Sequence, residues 1–400
     1  MKQQRALIVG GSVGGLFAAH LLRAAGWDVA VFERSRSDLA DRGASIGTRT
    51  DLFDILKRIG IQPDPSVGVA VSSRLCLGGD GASLCEIPSP SLNSSWDRIY
   101  RPLRDTLPAA LYQSGRKLEI IEQNDNGVTA IFDDGTRESG DLLIAADGIH
   151  STVRNQLLPA VQPVYAGYVA WRGVIEESAL TADEHKLLFG RMAFCLPDRE
   201  LLLSIGMPGR AADTRPGHRR YYWIWFRPAD EHGALADLCT DDTRTRHGSS
   251  IPPHLVRRDV VAALHDDAQR VLAPSLAAIV RRTAQPFPHG VYDVETPRMV
   301  MGRTVLLGDS AFVARPHVGA GITKAALDAQ CLADAVTQES DLATALARYE
   351  RERHAYGKAL IARARYLGSY LEAAAKTNGV MPKRQPETVL AEYGAAGKIG

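Results

Sequence analysis

The sequence predicts an α/β protein: a parallel-sheet domain, an antiparallel-sheet lobe inserted into it, and a helical C-terminal segment. Three observations carry this. "RALIVGG", "GGLFAAHLLRAAG" and "DVAVFERS" succeed one another as strand, helix and strand within the first 35 residues, the βαβ unit of a Rossmann-like sheet. From "YAGYVAWRGVI" onward the pattern changes to strands such as "LLLSIGMP" and "YYWIWFRP", broken by polar loops. At "RTVLLGD" the chain returns to a buried strand, followed by the Ala-rich helix "GITKAALDAQCLADAV".

The elements follow in order. The first helix ends at Gly26, and "DLFDILKRIG" is a second helix stopped by Gly60. Residues 61–95 are rich in Gly, Ser and Pro and read as loops and short strands. "RDTLPAALYQSG" reads as helical. "KLEIIEQNDNGVTAIFDDGTRESGDLLIAADG" reads as three strands with turns at Asn126-Gly127 and Asp134-Gly135. A helical stretch is expected near 254–283 and another over 342–375, with a loosely held tail beyond Asn378. The expected division is 1–164 for the first part of the nucleotide domain, 165–285 for the inserted substrate lobe, 286–340 for the return segment and 341–400 for the C-terminal helix and tail.

Four hundred residues are enough for two lobes and a sizeable core. A net charge of +1 gives no electrostatic footprint for nucleic acid and no argument for a membrane surface. The five cysteines are scattered and form no CxxC, which points to reduced thiols in a cytoplasmic protein, with neither a disulfide framework nor a metal site. The apolar run in "MKQQRALIVGG" is too short for a signal peptide or a membrane span.

Three motifs carry chemistry. In "VGGSVGG", Gly10 and Gly15 fill the outer places of a dinucleotide fingerprint, and Ser12 stands in the middle place, where a glycine is usual. Glu33, followed by Arg34, ends the second strand at the distance where an acid meets a ribose diol. In "LLIAADGIHSTVR", Asp147-Gly148 ends a strand, with Ser151 and Arg154 at fixed spacing. In "LLGDSAFVARPHVGAGITKAALDA", Asp309 ends a strand, and Gly319 and Gly321 open a helix whose amides form a positively polarised nest. Each alone also suits an ordinary turn.

In this order and spacing the three motifs resemble the single-component FAD-dependent aromatic hydroxylases, over most of residues 5–350. "YAGYVAWRGV", "RMVMGRTVLLGD" and "RPHVGAG" look most like the hydroxypyridine-acting branch, with the urate- and salicylate-type branches more distant. The resemblance implies that Asp309 binds the ribityl chain of FAD and that the backbone at Gly321 and Ile322 faces flavin N1 and O2. It places Pro316 on the flavin face where oxygen reacts and makes Arg101, in "YRPLRDTL", a further FAD contact. Thr323 stands where many relatives have Asn, and Phe312 where they have His. Only one fingerprint is present, so NADH or NADPH is expected to bind transiently, without its own Rossmann domain.

The implied chemistry is hydroxylation of a small, hydroxylated N-heteroaromatic ring by O2 through a flavin C4a-hydroperoxide, aided by a base at the ring hydroxyl. His317 is the first candidate for that base, with Asp293 and Tyr222 behind it; a hydrogen-bonded loop histidine and a strand-capping aspartate are the competing readings. Tyr222 and Ile224 share one face of "YYWIWF", while Tyr221, Trp223 and Trp225 share the other. Arg191, Phe194, Met207, Arg315 and Lys324 are weaker pocket candidates. "WIWFRP" approaches the WxWxIP signature of flavin halogenases, but no lysine lies between Lys57 and Lys117 to serve such an enzyme. A flavin-binding protein without oxygenase activity is the other alternative, and a homodimer is left open.

Overall fold

The structure, a computed structural model, describes residues 3–40, 45–48, 50–62, 68–372 and 384–394. A six-stranded sheet forms the first domain. Its centre is Arg5–Val9, flanked in parallel by Asp28–Glu33 and Leu142–Ala145, with Ile8 opposite both Val31 and Ile144. Thr304–Leu306 and Val300–Met301 extend it on one side and Tyr112–Ser114 on the other. These central strands are apolar runs because both faces are covered. The helices Val13–Ala24 and Gly321–Gln338 pack on one face, and Gly14 lets Leu307 and Ala325 come close. A small antiparallel sheet, Leu118–Asn124, Gly127–Phe132 and Arg137–Gly140, contributes Leu118, Ile121, Val128 and Phe132 to the same core.

A nine-stranded sheet forms the second lobe. Val164–Glu176, Arg220–Pro228, Leu201–Met207 and Arg191–Cys195 run side by side in its middle. Period-2 alternation sorts the aromatics as expected. Tyr221, Trp223 and Trp225 pack beneath the helices Arg258–Val271 and Pro274–Arg282, where Trp223 Nε1 donates to Thr283 Oγ1 at 2.8 Å. Tyr222, Ile224 and Phe226 face the other way, together with Tyr168, Ala170 and Ile205.

Four local expectations need correction. Residues 61–95 hold long strands, Val69–Leu77 and Ser83–Ser95, which join the second sheet beside Arg191–Cys195. That sheet therefore reaches well beyond 165–285; it also takes in Ser45–Gly47, Phe287–Glu295 and Phe312–Val313. Pro88 and Pro90 fit because, among the described residues, Ser83–Ser95 pairs outward only through its last residues, leaving an edge where a missing N–H costs little. In the expected helix "RDTLPAALYQSG", the helix is Trp96–Thr106 instead, and Leu107, before Pro108, is extended. Tyr112–Ser114 then becomes an edge strand of the parallel sheet. The expected three strands of 117–148 are four, the last of them Leu142–Ala145 in the parallel sheet.

The fourth correction concerns the tail. Residues 384–394 dock firmly: Pro386–Glu392 is a helix, with Val389, Leu390 and Tyr393 buried against the second sheet. Arg74 Nη1 donates to the carbonyls of Leu390 and Tyr393, the latter at 2.7 Å, and Gly394 N–H donates to His317 O at 2.8 Å. Residues 379–383 and 395–400 lie outside the described residues. No helix among the described residues is long and apolar enough to cross a membrane.

A buried ionic cluster fixes the return segment. Asp328 Oδ2 accepts from Lys324 Nζ at 2.9 Å and from Gly308 N–H at 3.0 Å, and its Oδ1 accepts from Arg353 Nε at 2.7 Å. Lys324 Nζ also donates to Gly308 O at 2.8 Å. Lys324 is thus committed to this cluster, and it also lines the cavity beside Asp309. Removing one partner of a buried pair leaves an uncompensated charge. Asp328→Ala should therefore lower the free energy of unfolding by about 3–5 kcal/mol, read from urea denaturation of the flavin-loaded protein.

Candidate functional site

Three motif turns meet at the C-terminal ends of the parallel strands, the edge where such sheets bind ligands. Gly10 follows Val9 with φ 105°, and a Cβ there would lie 2.3 Å from Ala146 O. A Cβ on Gly15 would lie 1.9 Å from Gly10 O, so both positions exclude any side chain. Ser12 is the N-cap of the first helix, yet its hydroxyl makes no capping bond. Glu33 Oε2 accepts from Gly11 N–H at 2.8 Å and its Oε1 from Ser35 N–H at 2.8 Å, which holds the carboxylate at the rim.

Gly10, Ser12, Glu33, Arg34, Arg116, Lys117 and Asp147 line a crevice of about 510 Å³. Asp147 accepts from Val153 N–H at 3.3 Å through Oδ2, while its Oδ1 is buried with no partner. Burial pushes this carboxyl above its usual range, against the hydrogen bonds from Ser151 and Val153. An orphaned acceptor aimed into a crevice with a basic wall fits a bound dinucleotide carrying hydroxyls and phosphates. Arg154 is buried and donates to Ser310 O at 3.1 Å and to Ile149 O, tying the second motif to the third.

The third motif opens a second cavity of about 250 Å³, lined by Asp309, Phe312, Arg315, Pro316, Gly319, Gly321, Ile322 and Thr323 among others. Gly308 (φ 67°) and Gly319 (φ 59°) are left-handed, and nothing lies within 4 Å of where a Cβ on Gly321 would point. The first amides of the helix Gly321–Gln338 have no intrahelical acceptor and face this space. Asp309 opens into the cavity but stands on a floor of protein. The desolvation pushes its carboxyl up, with Lys324 pulling it back and Asp328 adding to the rise.

A third cavity, of about 260 Å³, shares Ser45, Gly47, Pro316 and Gly319 with the second. Its walls are mostly apolar: Met192, Leu203, Ile205, Ile224 and Phe226. Its polar groups are Ser45, Thr48, Arg74, Ser91, Asn93, Arg172, Tyr222 and Tyr393. Tyr222 thus stands on the wall of this cavity. Burial pushes its phenol up and the charge of Arg172 pulls it down.

His317 does not line any of these cavities; it is fully buried. Its Nε2 lies 2.7 Å from Tyr168 Oη and its Nδ1 lies 3.1 Å from Tyr393 Oη. Burial, with the charges of Arg315 and Arg384, drives its pKa well below the usual value. With both nitrogens occupied and the ring turned inward, the expectation of a catalytic base is corrected to a neutral structural histidine.

Asp293 is corrected likewise. It is buried, receives Arg315 Nε and Nη2 at 3.0–3.2 Å and Arg365 Nε at 3.3 Å, and lines neither cavity. It positions Arg315, which does line the second cavity. Arg191 is engaged by Glu86 and the carbonyls of Lys186 and Leu187, and Met207 is buried in the core. Phe194 packs against the Tyr393 ring, with centroids 5.5 Å apart. Arg101 is exposed on its helix, outside the crevice lining. Sequence reasoning missed Arg74, Asn93, Arg172, Tyr393, Arg116 and Lys117. Alternation along "YVAWRGV" was the available signal for Arg172, which shares a face with Ala170.

Comparison with known proteins agrees with this geometry. Residues 3–69 match the FAD binding domain family and residues 165–293 an FAD binding domain-like family. The chain is 32% identical over 374 residues to 2,6-dihydroxypyridine 3-monooxygenase of Paenarthrobacter nicotinovorans, covering 92% of this chain and 91% of that protein. It is 27% identical to 6-hydroxynicotinate 3-monooxygenase of Pseudomonas fluorescens, covering 87% of each. The solved structure of 2,6-dihydroxypyridine-3-hydroxylase from Arthrobacter nicotinovorans superposes with a TM-score of 0.87 at 30% identity, over 95% of this chain and 96% of that one.

Two outcomes follow from the geometry. Asp309→Ala should weaken FAD binding on the order of 10- to 100-fold, the loss of a charged hydrogen bond, seen as flavin released during gel filtration of an otherwise folded protein. His317→Gln should cost about 1–3 kcal/mol of stability by unpairing buried tyrosines, while turnover of the folded fraction stays within about 10-fold. A loss of roughly 10²–10⁴ in turnover would restore His317 as a base.

Proposed function

This chain belongs to the FAD-dependent aromatic hydroxylases, monooxygenases that use NAD(P)H and O2, and we propose that its substrate is a small hydroxylated N-heteroaromatic of the hydroxypyridine class. One observation carries the reading: an apolar cavity with a few polar groups meets the helix-terminal nest across Pro316 and Gly319. At about 260 Å³ it is smaller than the roughly 300–1,000 Å³ sites of drug-sized ligands, which suits a single ring. The relatives whose names carry a hydroxypyridine or hydroxynicotinate support the heterocycle.

In this reading Gly10, Ser12, Gly15, Glu33, Arg34 and Asp147 hold the adenosine and pyrophosphate end of FAD. Asp309, Gly319, Gly321 and Ile322 hold the flavin end. The chemistry that FAD supplies when bound is acceptance of two electrons from NAD(P)H and transfer of one oxygen atom from O2 to the ring. Everything else is positioning by this chain. The amides of Gly321 and Ile322 favour negative charge beside them. Met192, Leu203, Ile205, Ile224 and Phe226 clamp the ring and keep water away from the reactive oxygen. Tyr222 and Arg172 reach the ring's polar edge, with the Tyr222 phenol held as a proton donor, while Asn93 and Tyr393 are tied to Gly206 and His317. The lobe from about 165 to 285, with the hairpin of 69–95, supplies most of these walls. The scattered cysteines support a cytoplasmic setting.

The test is a panel of hydroxypyridines, purines and hydroxybenzoates with the FAD-loaded protein. A hydroxypyridine should accelerate NAD(P)H oxidation most and yield a hydroxylated product in step with it. Acceleration by a hydroxybenzoate alone would replace the heterocycle with a benzenoid substrate.

A further inference from the structure

The described residues lining the third cavity come from three sources: the nine-stranded sheet with Thr48 at its edge, the turn at Pro316 and Gly319, and the docked tail. Tyr393 is the one side chain that the tail supplies, because its neighbour Gly394 has none. Its carbonyl accepts from Arg74 Nη1 at 2.7 Å, and its N–H donates to Val389 O at 2.9 Å. Its hydroxyl lies 3.1 Å from His317 Nδ1. Its ring meets the Phe194 and His317 rings edge-on, with centroids 5.5 and 5.6 Å apart. Gly394 Cα lies 3.7 Å from where a Cβ on Gly319 would point, so the tail abuts the turn itself. A ring tied at backbone, hydroxyl and flanks is a wall and not a flap, since turning it aside breaks buried hydrogen bonds and close packing. The floor beside it is equally fixed: Leu203, Ile205, Ile224 and Phe226 lie on strands paired along both edges.

We propose, building on the hydroxypyridine reading above, that Tyr393 is the specificity-determining residue that limits the substrate to a single ring. Its phenol fills the space into which a second, fused ring would extend. The phenol and the fused ring of a bicyclic ligand are both flat six-membered rings, so removing one makes room for the other. Fixed surroundings favour this, because a large-to-small change in a rigid wall leaves a cavity where a soft one would collapse. The tail thus selects the substrate by shape.

The experiment measures dissociation constants by flavin absorbance for 2,6-dihydroxypyridine and the bicyclic 2,4-dihydroxyquinoline, in FAD-loaded wild type, Tyr393→Phe and Tyr393→Ala. Wild type should favour the pyridine on the order of 100-fold. Tyr393→Phe, which keeps the ring and loses the hydroxyl, should hold that ratio within about threefold. Tyr393→Ala should move it toward the quinoline by about 10- to 100-fold, chiefly through tighter quinoline binding. If Tyr393→Ala does not fold, Tyr393→Leu keeps an apolar anchor for the tail and should move the ratio by about 10-fold. A ratio unchanged in the variant that folds, or a wild type that binds both ligands equally, overturns the proposal. If neither heterocycle binds wild type, the hydroxypyridine reading falls and the pair becomes 2-hydroxybenzoate and 1-hydroxy-2-naphthoate. A like shift with these keeps Tyr393 as the size limit; an unchanged ratio, or no binding, removes it too.

Discussion

Asp328 is one carboxylate shared by three partners from different parts of the chain, and the cavity at Asp309 depends on that sharing. Its oxygens take the Gly308 amide, the Lys324 ammonium one turn away and the Arg353 guanidinium from the long helix Leu342–Gly368. Buried charges of this kind need close partners and further hydrogen bonds, which narrows the geometry, although Arg353 Nη2 is left without a partner. Gly308, at φ 67°, is held between the end of the strand Thr304–Leu306 and Asp309. The Asp309 carboxylate and the amides of the following helix therefore keep a fixed relation without contacting each other directly. The cluster carries one net positive charge, which offsets part of the desolvation that Asp309 suffers in its cavity.

Much of the parallel domain was legible because its rules are local. Gly10 and Gly15 are required by clashes with atoms a few residues away or on the adjoining strand, and the strand–turn–helix context is visible in ten residues. The sorting of Tyr222 and Ile224 from Tyr221, Trp223 and Trp225 follows from strand period alone. The substrate side was less legible because its determinants are remote. His317 looked available from its place beside Pro316, but its partners Tyr168 and Tyr393 are 149 and 76 residues away in sequence. Asp293 looked like a free acid until Arg315 and Arg365 converged on it.

The second sheet also shows why composition misled over 61–95. Serine and proline argue for loops when a strand needs both its edges, but an edge strand needs only one. Its hairpin places Arg74 and Asn93 into a wall that also takes Ser45, Gly47 and Thr48 from before it and residues a hundred positions later, with Asn93 Nδ2 anchored to Gly206 O at 2.7 Å. The two lobes are thus threaded through each other, and neither encloses the third cavity alone.

The docked segment around Tyr393 has a bearing on biosynthesis. Every other residue lining the substrate cavity, from Ser45 to Gly319, leaves the ribosome before Tyr393 and Gly394 do. The parallel sheet, the nine-stranded sheet and the nest can assemble while that part of the wall is still missing. Chains generally fold from the N-terminal side as they emerge. In that order of emergence, the first crevice can be complete while the third cavity still lacks Tyr393 and Gly394. A redox centre engaged at that stage would leak electrons to oxygen with no ring to receive the oxygen atom. Closure by a segment that emerges after the rest of the wall would delay productive turnover until Tyr393 has docked.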